Sequence, residues 1–133
     1  MKTPIVTDQA PAAIGPYSQG ISTESLVFVS GQLPIDPATG VMPEDVAAQA
    51  KQSLANVKAV LEAAGSSMEK VVKTTIFLAD IADFAAVNEV YAAAFPQPCP
   101  ARSCFAVAPP PKRAKLEIEA IAVKKDSAGT QRP

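Results

Sequence analysis

Residues 42–65, MPEDVAAQAKQSLANVKAVLEAAG, constrain the fold most, because their apolar side chains recur at three- and four-residue steps. This period predicts an amphipathic helix, the longest element in the chain. Pro43, Glu44 and Asp45 suit its first turn, and Gly65 suits the position just after its end. The side chains predicted to face the core are Val46, Ala50, Leu54, Val57, Leu61 and Ala64.

A second helix is predicted over residues 83–95, DFAAVNEVYAAAF, and Pro96 prevents its continuation. Its shared apolar face carries Phe84, Val87, Tyr91 and Phe95. Residues 71–78, VVKTTIFL, are rich in β-branched side chains and predict a strand. Further strands are predicted at 17–22, 26–30, 103–108 and 115–123. The order ββαβαββ indicates an α+β domain with two helices on one face of a mixed sheet.

The second face of this sheet is not covered by the two helices. It is predicted to carry apolar side chains at Val27, Val29, Phe105 and Val107. An exposed apolar face of this kind favours contact with another subunit. The length of 133 residues predicts a single domain, with an ordered core over about 4–124 and a loose tail over 125–133.

The amino-acid composition limits the catalytic mechanisms, metal sites and partners that are possible for this chain. The chain has no histidine, so mechanisms that need an imidazole are excluded, and catalysis has to use carboxylates, arginine, tyrosine, cysteine, backbone groups or water. Two cysteines, Cys99 and Cys104, are too few soft ligands for a zinc site, and no metal or cofactor is expected. A net charge of −1 provides no positive field for a phosphate backbone, so nucleic acid is not an expected partner.

Cellular location is also suggested by the sequence. The N-terminus MKTPIVTDQAPAA lacks the apolar region of a signal peptide. No apolar run reaches the roughly 18 residues of a membrane-spanning helix. These patterns favour a cytoplasmic protein with reduced thiols and no membrane contact.

Four polar residues interrupt the apolar patterns: Tyr17, Asn88, Arg102 and Glu117. A buried charge is costly unless it is paired, which makes Arg102 and Glu117 the natural pair to examine. From the residues alone, Arg102 is either a strand-end charge or a planar fork for a carboxylate, and Glu117 is either solvated or an acid–base group. Cys104, on the same strand face as Arg102, is either a small buried residue or a nucleophile without a histidine to activate it.

Five stretches in order resemble the RidA family, also called YjgF/YER057c/UK114. They are APAAIGPYSQG at 10–20, VFVSGQLPIDPATG at 27–40, AAQAKQSLANVKAVLEAAG at 47–65, VVKTTIFLADIADFAAVNEVY at 71–91, and PARSCFAVAPPPKRAKLEIEAIAV at 100–123. The resemblance implies a chorismate-mutase-like fold assembled as a homotrimer with clefts between subunits. It also implies an enamine/imine deaminase that hydrolyses 2-aminoacrylate and related 2-imino acids, released by pyridoxal-phosphate-dependent dehydratases, to 2-oxo acids and ammonia.

The resemblance also implies roles for individual residues. Arg102 matches the arginine that binds the substrate carboxylate, Glu117 matches the acid that positions water near the imine carbon, and Tyr17 matches a catalytic-cleft tyrosine. The residues that would line the cleft and bind substrate are Ser30, Gly31, Asn88 and Cys104. Two alternatives stay open at this point: an endoribonuclease or translation-inhibitor activity, and a non-catalytic module that binds small carboxylates and signals to a partner protein.

Overall fold

The computed structural model describes residues 1–124, which contain six strands and two α-helices in the order βββαβαββ. The strands are β1 (Thr3–Ile5), β2 (Gly20–Ser22), β3 (Leu26–Gln32), β4 (Val71–Leu78), β5 (Ala101–Ala106) and β6 (Leu116–Val123), and the helices are α1 (Val46–Ala63) and α2 (Phe84–Ala94). The predicted α+β class with two helices on a mixed sheet is confirmed. The predicted tail over 125–133 lies outside the described residues.

One short strand, β1, was missed by the sequence prediction. It spans three residues, has Pro4 at its centre and pairs only with β2 at the edge of the sheet. Such a segment is too short to show alternation, and proline argues against a strand except at an edge. The predicted strand 17–22 is shorter than expected, because β2 begins at Gly20 and leaves Tyr17 in the preceding loop.

The sheet has the strand order β1-β2-β3-β6-β4-β5. All neighbouring strands are antiparallel except β4 and β5, which are parallel and are connected through α2. A parallel pair requires such a crossover, and the crossover places α2 beside the edge strand β5. The residues of β5 therefore face α2 on one side and solvent or another molecule on the other.

Strand β6 alternates as predicted, with Glu117, Glu119, Ile121 and Val123 facing away from the helices. The predicted facing of β3 was wrong. Val27 and Val29 are buried under the helices at 0% and 4% exposure, and Phe28, at 40%, lies on the open face. The antiparallel register explains the difference, because it pairs Val27 and Val29 with buried alanines of β6. Phe105 does lie on the open face, 54% exposed, and Val107 follows the end of β5.

Helix α1 starts later than predicted. Asp45 is its N-cap, with an extended backbone, and its carboxylate accepts a hydrogen bond from the Ala48 amide at 3.1 Å. Pro43 and Glu44 therefore precede the helix and are not part of its first turn. The helix ends as predicted, with Gly65 in the left-handed region at φ +82°.

A stripe of buried polar side chains on α1 holds the segment that follows β3. The Ser53 hydroxyl donates to the carbonyl of Gln32 at 3.0 Å, and the Asn56 amide donates to the carbonyl of Leu33 at 3.0 Å. Both side chains are buried, at 0% and 1% exposure. Their bonds take the place of the hydrogen bonds that the two carbonyl groups would otherwise make with water. The end of β3 next to Gly31 is fixed to α1 in this way.

Candidate active site

The seven candidate residues lie in two groups on opposite sides of the sheet. The first group, at the helix side of the edge strand β5, contains Asn88, Arg102 and Cys104. The second group, at the open face near the end of β3, contains Tyr17, Ser30, Gly31 and Glu117.

The strand register explains this separation. Arg102 aligns with the buried Thr74 of β4, which faces the helices. Glu117 aligns with Phe77 of β4, which in turn aligns with Phe105 on the open face. Arg102 and Glu117 are separated by two strand spacings, about 10 Å, by an offset of three residues along the strands, also about 10 Å, and by the thickness of the sheet. The two residues that the sequence suggested as a pair are therefore not paired within one chain.

Arg102 is partly buried and is surrounded by side chains of α2. Its Nη1 donates to Oδ1 of Asn88 at 2.7 Å, and its Cζ lies 4.9 Å from the ring centre of Tyr91 and 5.5 Å from that of Phe84. The polar Asn88 within an apolar helix stripe is thus explained by its bond to Arg102. Within residues 1–124 this is the one hydrogen bond recorded for five guanidinium donors, which leaves the fork available to a planar anion.

Cys104 packs against the hydrophobic core, two residues beyond Arg102 on the same side of β5. Burial raises the pKa of its thiol, and the positive charge of Arg102 opposes that rise only in part. The thiol is therefore predominantly protonated near neutral pH and is a weak nucleophile. The second cysteine, Cys99, is free and exposed.

Gly31 and Glu117 are in close contact at an irregularity of β3. The register of β3 against β6 shifts between Val29 and Gln32, which is typical of a bulge that redirects side chains. A Cβ atom on Gly31 would lie 2.8 Å from Cδ and 3.0 Å from Cγ of Glu117, closer than carbon atoms normally approach. The missing side chain of Gly31 thus makes the space that the Glu117 carboxyl group occupies.

Tyr17 is held near this bulge by its neighbours in the chain. The Ser30 hydroxyl donates to the carbonyl of Ser18 at 2.6 Å, and the Ser30 amide donates to the carbonyl of Gln19 at 3.0 Å. The Tyr17 side chain is 54% exposed, and its hydroxyl accepts from the amide of Ile14 at 3.3 Å. Ser30 therefore anchors the loop and leaves the phenol ring of Tyr17 accessible.

Glu117 is half-buried, and its pKa is raised. Burial is the larger cause, and the negative charge of Glu119 on the same face adds to it. A carboxyl group with a raised pKa holds a proton more strongly than an exposed one. It is therefore better suited to accept a proton from water and return it near neutral pH.

Two supporting groups were not found from the sequence. Gln19 is buried, and its side chain binds the backbone of Thr7, Ala10 and Pro11, which fixes the loop before Tyr17. Tyr91 was predicted only as a core residue, whereas its ring also contacts Arg102. Only its helical spacing from Asn88 could have suggested this second contact.

Other features of the described residues place few constraints on the chemistry. Residues 1–124 contain no cluster of three or more acidic, cysteine or histidine side chains arranged to bind a metal ion. Neither helix of this part of the chain is long and apolar enough to cross a membrane. A groove of about 790 Å³ lies between α1 and α2, and a depression of about 220 Å³ lies on the open face; neither is lined by Arg102 or Glu117.

Comparison with known proteins gives concordant results. The family model described as Endoribonuclease L-PSP matches residues 7–124. A 2-iminobutanoate/2-iminopropanoate deaminase of Salmonella typhimurium is 56% identical over 128 residues, which cover 94% of this chain and 100% of that protein. A protein of the same name from Escherichia coli K12 is 54% identical with the same coverage.

Solved structures agree with this result. Escherichia coli TdcF with bound serine has a TM-score of 0.88 and 50% identity, covering 92% of this chain and 99% of that one. RidA from an Antarctic Psychrobacter has a TM-score of 0.88 and 46% identity, covering 91% and 98%. The chain therefore belongs to the Endoribonuclease L-PSP family, which is the RidA/YjgF family that its motifs resemble.

Proposed function

We propose that this protein is a 2-iminobutanoate/2-iminopropanoate deaminase, which hydrolyses reactive enamine and imine intermediates to 2-oxo acids and ammonia. The observation that carries the proposal is the guanidinium of Arg102, which is oriented by Asn88 and keeps most of its donors available. The near full-length identity to proteins named for this activity supports the same conclusion. Serine bound to TdcF supports a small amino-acid-like ligand for this fold.

Arg102 would bind the carboxylate of the substrate. A 2-imino acid carries a carboxylate next to the electrophilic imine carbon, so two parallel N–H bonds from one guanidinium fix both position and plane. Fixing the carboxylate also fixes the neighbouring carbon at a defined distance from a water molecule, which raises the rate by proximity. Lysine has no planar fork and could not supply this orientation.

Glu117 would act as the acid–base group. Its carboxylate accepts a proton from water while the water oxygen bonds to the carbon of the protonated imine, and the C=N double bond becomes a single bond. The protonated Glu117 then returns that proton to the nitrogen. The C–N bond breaks and its electron pair leaves with ammonia; the remaining hydroxyl proton then passes through Glu117 to that ammonia, which gives ammonium, the 2-oxo acid and the original carboxylate. The raised pKa of Glu117 supports both transfers near neutral pH.

The other candidate residues have supporting roles in this proposal. Tyr17 would contact the substrate through its accessible hydroxyl, and Gly31 would leave space for the Glu117 carboxyl group beside Ser30. Asn88 would orient Arg102, and Cys104 would line the cleft as a neutral thiol.

The separation of the two groups supports a cleft built from two subunits. Arg102 on the helix side of an edge strand and Glu117 on the open face can meet around one ligand when a second copy brings its complementary group alongside. The exposed Phe28 and Phe105 side chains on the open face favour burial between copies. The family resemblance implies three subunits, and we infer a homotrimer in which each pair of neighbouring subunits forms one cleft; a closed ring of this kind gives every copy the same contacts.

A coupled assay tests the function. A threonine dehydratase generates the imino acid in the assay mixture. The release of 2-oxobutanoate is followed with and without this protein. The protein is expected to accelerate release, and Arg102→Ala is expected to remove the acceleration. Full acceleration by Arg102→Ala would contradict the assigned role. A cytoplasmic location is also part of the proposal.

Endoribonuclease activity is a second candidate because the matching family model carries that name. The chain has no histidine and a net charge of −1, so it lacks an imidazole acid–base pair for phosphodiester cleavage and provides no long-range positive field to attract RNA. Incubation with labelled single-stranded RNA tests this candidate. If the wild-type protein cleaves the RNA and Glu117→Gln does not, the result would support endoribonuclease activity over the deaminase.

A further inference from the structure

Three side chains of α2 meet Arg102 from one stripe of the helix. Phe84, Asn88 and Tyr91 occupy positions i, i+4 and i+7, which lie on the same face. Asn88 accepts from Nη1, and both aromatic rings lie within 6 Å of the guanidinium carbon. This separation is within the range of a cation–π interaction. The guanidinium is therefore contacted by two rings and by one amide at the same time.

Tyr91 is itself fixed in place by contacts with Thr74 and Phe95. Its hydroxyl forms a hydrogen bond of 2.7 Å with Oγ1 of Thr74, and the two residues are 5% and 1% exposed. Thr74 is also the register partner of Arg102 in the neighbouring strand. On its other side, the Tyr91 ring lies 4.6 Å from that of Phe95. Burial raises the pKa of Tyr91, and the phenol beside Thr74 is neutral.

Phe84 provides the observation that separates positioning from packing. Tyr91 is part of the core, so packing alone is enough to account for a large side chain at this position. Phe84 is 38% exposed at the first residue of α2 and contributes little to the core, yet its ring lies 5.5 Å from Cζ of Arg102. Of the two rings at Arg102, Phe84 is thus the one that can be replaced with little effect on the core, so its substitution tests the contact with the guanidinium.

We propose that Phe84 and Tyr91 are positioning residues that hold the guanidinium plane of Arg102 in the free protein, so that its remaining N–H groups form a preorganised fork for the substrate carboxylate. A long arginine side chain loses rotamer freedom when it binds a ligand, and prior immobilisation reduces that loss. The immobilisation is a property of the free protein. Its consequence for substrate binding rests on the deaminase function proposed above.

Nuclear magnetic resonance of the arginine side chains tests the immobilisation directly. The sequence contains three arginines, Arg102, Arg113 and Arg132, so the Nε–Hε spectrum is simple. Loss of one signal in Arg102→Lys assigns Arg102, and the exposed Arg113 serves as the mobile reference. We expect a high heteronuclear NOE for Arg102 in wild-type protein and a marked decrease in Phe84→Leu. A wild-type Arg102 as mobile as Arg113 would overturn the proposal, as would an unchanged NOE in Phe84→Leu.

Ligand binding tests the consequence. Calorimetric titration with 2-oxobutanoate is expected to show a two- to five-fold increase in Kd for Phe84→Leu, the range of one partly exposed cation–π contact. Phe84→Tyr keeps the ring and is expected to restore the wild-type Kd. Ile81→Ala, which removes a side chain 55% exposed just before α2, is the matched control and is expected to change nothing.

Steady-state kinetics, together with the two measurements above, distinguishes this proposal from the function on which it rests. In steady-state kinetics, loss of ground-state carboxylate binding in Phe84→Leu is expected to raise KM about two- to five-fold and to leave kcat within about twofold. A decrease in kcat with unchanged KM and unchanged Kd would overturn the proposal that Phe84 positions Arg102 for carboxylate binding. If wild-type protein neither binds 2-oxobutanoate nor hydrolyses the imine, the proposed function fails, whereas an immobile Arg102 that is released in Phe84→Leu still supports the positioning role of Phe84.

Discussion

The contact between Gly31 and Glu117 makes Gly31→Ala the most informative substitution in the chain. The added Cβ would lie 2.8 Å from Cδ of Glu117, whereas carbon atoms pack at about 3.5–4.0 Å. The carboxyl group therefore has to retreat by about 1 Å. Gly31 does not have a left-handed backbone, so alanine is compatible with its conformation and the strain falls on Glu117.

The expected effects on stability and on activity differ in size. Forcing the Glu117 side chain off its preferred rotamer costs about 0.5–1.5 kcal/mol. The reduced flexibility of the unfolded chain with alanine offsets about 0.4–1 kcal/mol of that loss. The free energy of unfolding should therefore change by no more than about 1 kcal/mol. A displacement of about 1 Å at a reacting group lowers the rate by about 10²-fold, so we expect kcat to fall to that extent.

Urea denaturation and the coupled 2-oxobutanoate assay measure the two quantities. The control is the double variant with Glu117→Gln. If the added methyl group acts through Glu117, Gly31→Ala should cause no further loss once the carboxylate is absent. Two outcomes would refute the reasoning: full activity in Gly31→Ala, or a second loss of about 10²-fold in the double variant.

Three other substitutions test separate features. Glu119→Gln removes the like charge that helps to raise the pKa of Glu117, so the acidic limb of the kcat/KM profile should move to lower pH; an unchanged limb would contradict the electrostatic coupling. Phe28→Asp places a charge on the open face and should shift the mass measured by light scattering from that of the proposed trimer towards that of a monomer, with the circular dichroism spectrum retained. Leu61→Ala should lower the free energy of unfolding by about 2–5 kcal/mol, against at most about 0.5 kcal/mol for the exposed Ile81→Ala.

Much of the fold could be predicted because its main elements have strong local patterns. The three- and four-residue period placed α1 and α2 within a few residues of their observed ends, and the β-branched run over 71–78 matches β4. The errors lie where local pattern is weak. β1 is too short to alternate, and the facing of Val27 depends on its register with Ala122 in a distant strand. Register is a long-range property that a local window does not contain.

The candidate residues could be selected from the sequence, but their arrangement in space could not. Polar residues in apolar positions identified Asn88, Arg102 and Glu117, because such residues are costly to retain without a partner. The sequence suggested Arg102 and Glu117 as a pair to examine; the structure does not bring them together within one chain, and Arg102 bonds to Asn88 instead. Proximity to the aromatic rings of α2 could not be read from the strand pattern, since it depends on how α2 crosses the edge of the sheet.

The sequence by itself determined the class of fold, the residue types available for chemistry and the exclusion of imidazole mechanisms, because these depend on local periodicity and composition. Only the tertiary structure decided which side of the sheet each polar residue occupies and which neighbours change its chemistry. The pKa of Glu117 is raised by burial and by Glu119, and Arg102 is held by α2, because folding brings together strands and a helix that are separated along the chain. The division of the candidate residues between two faces of the sheet follows from that same packing.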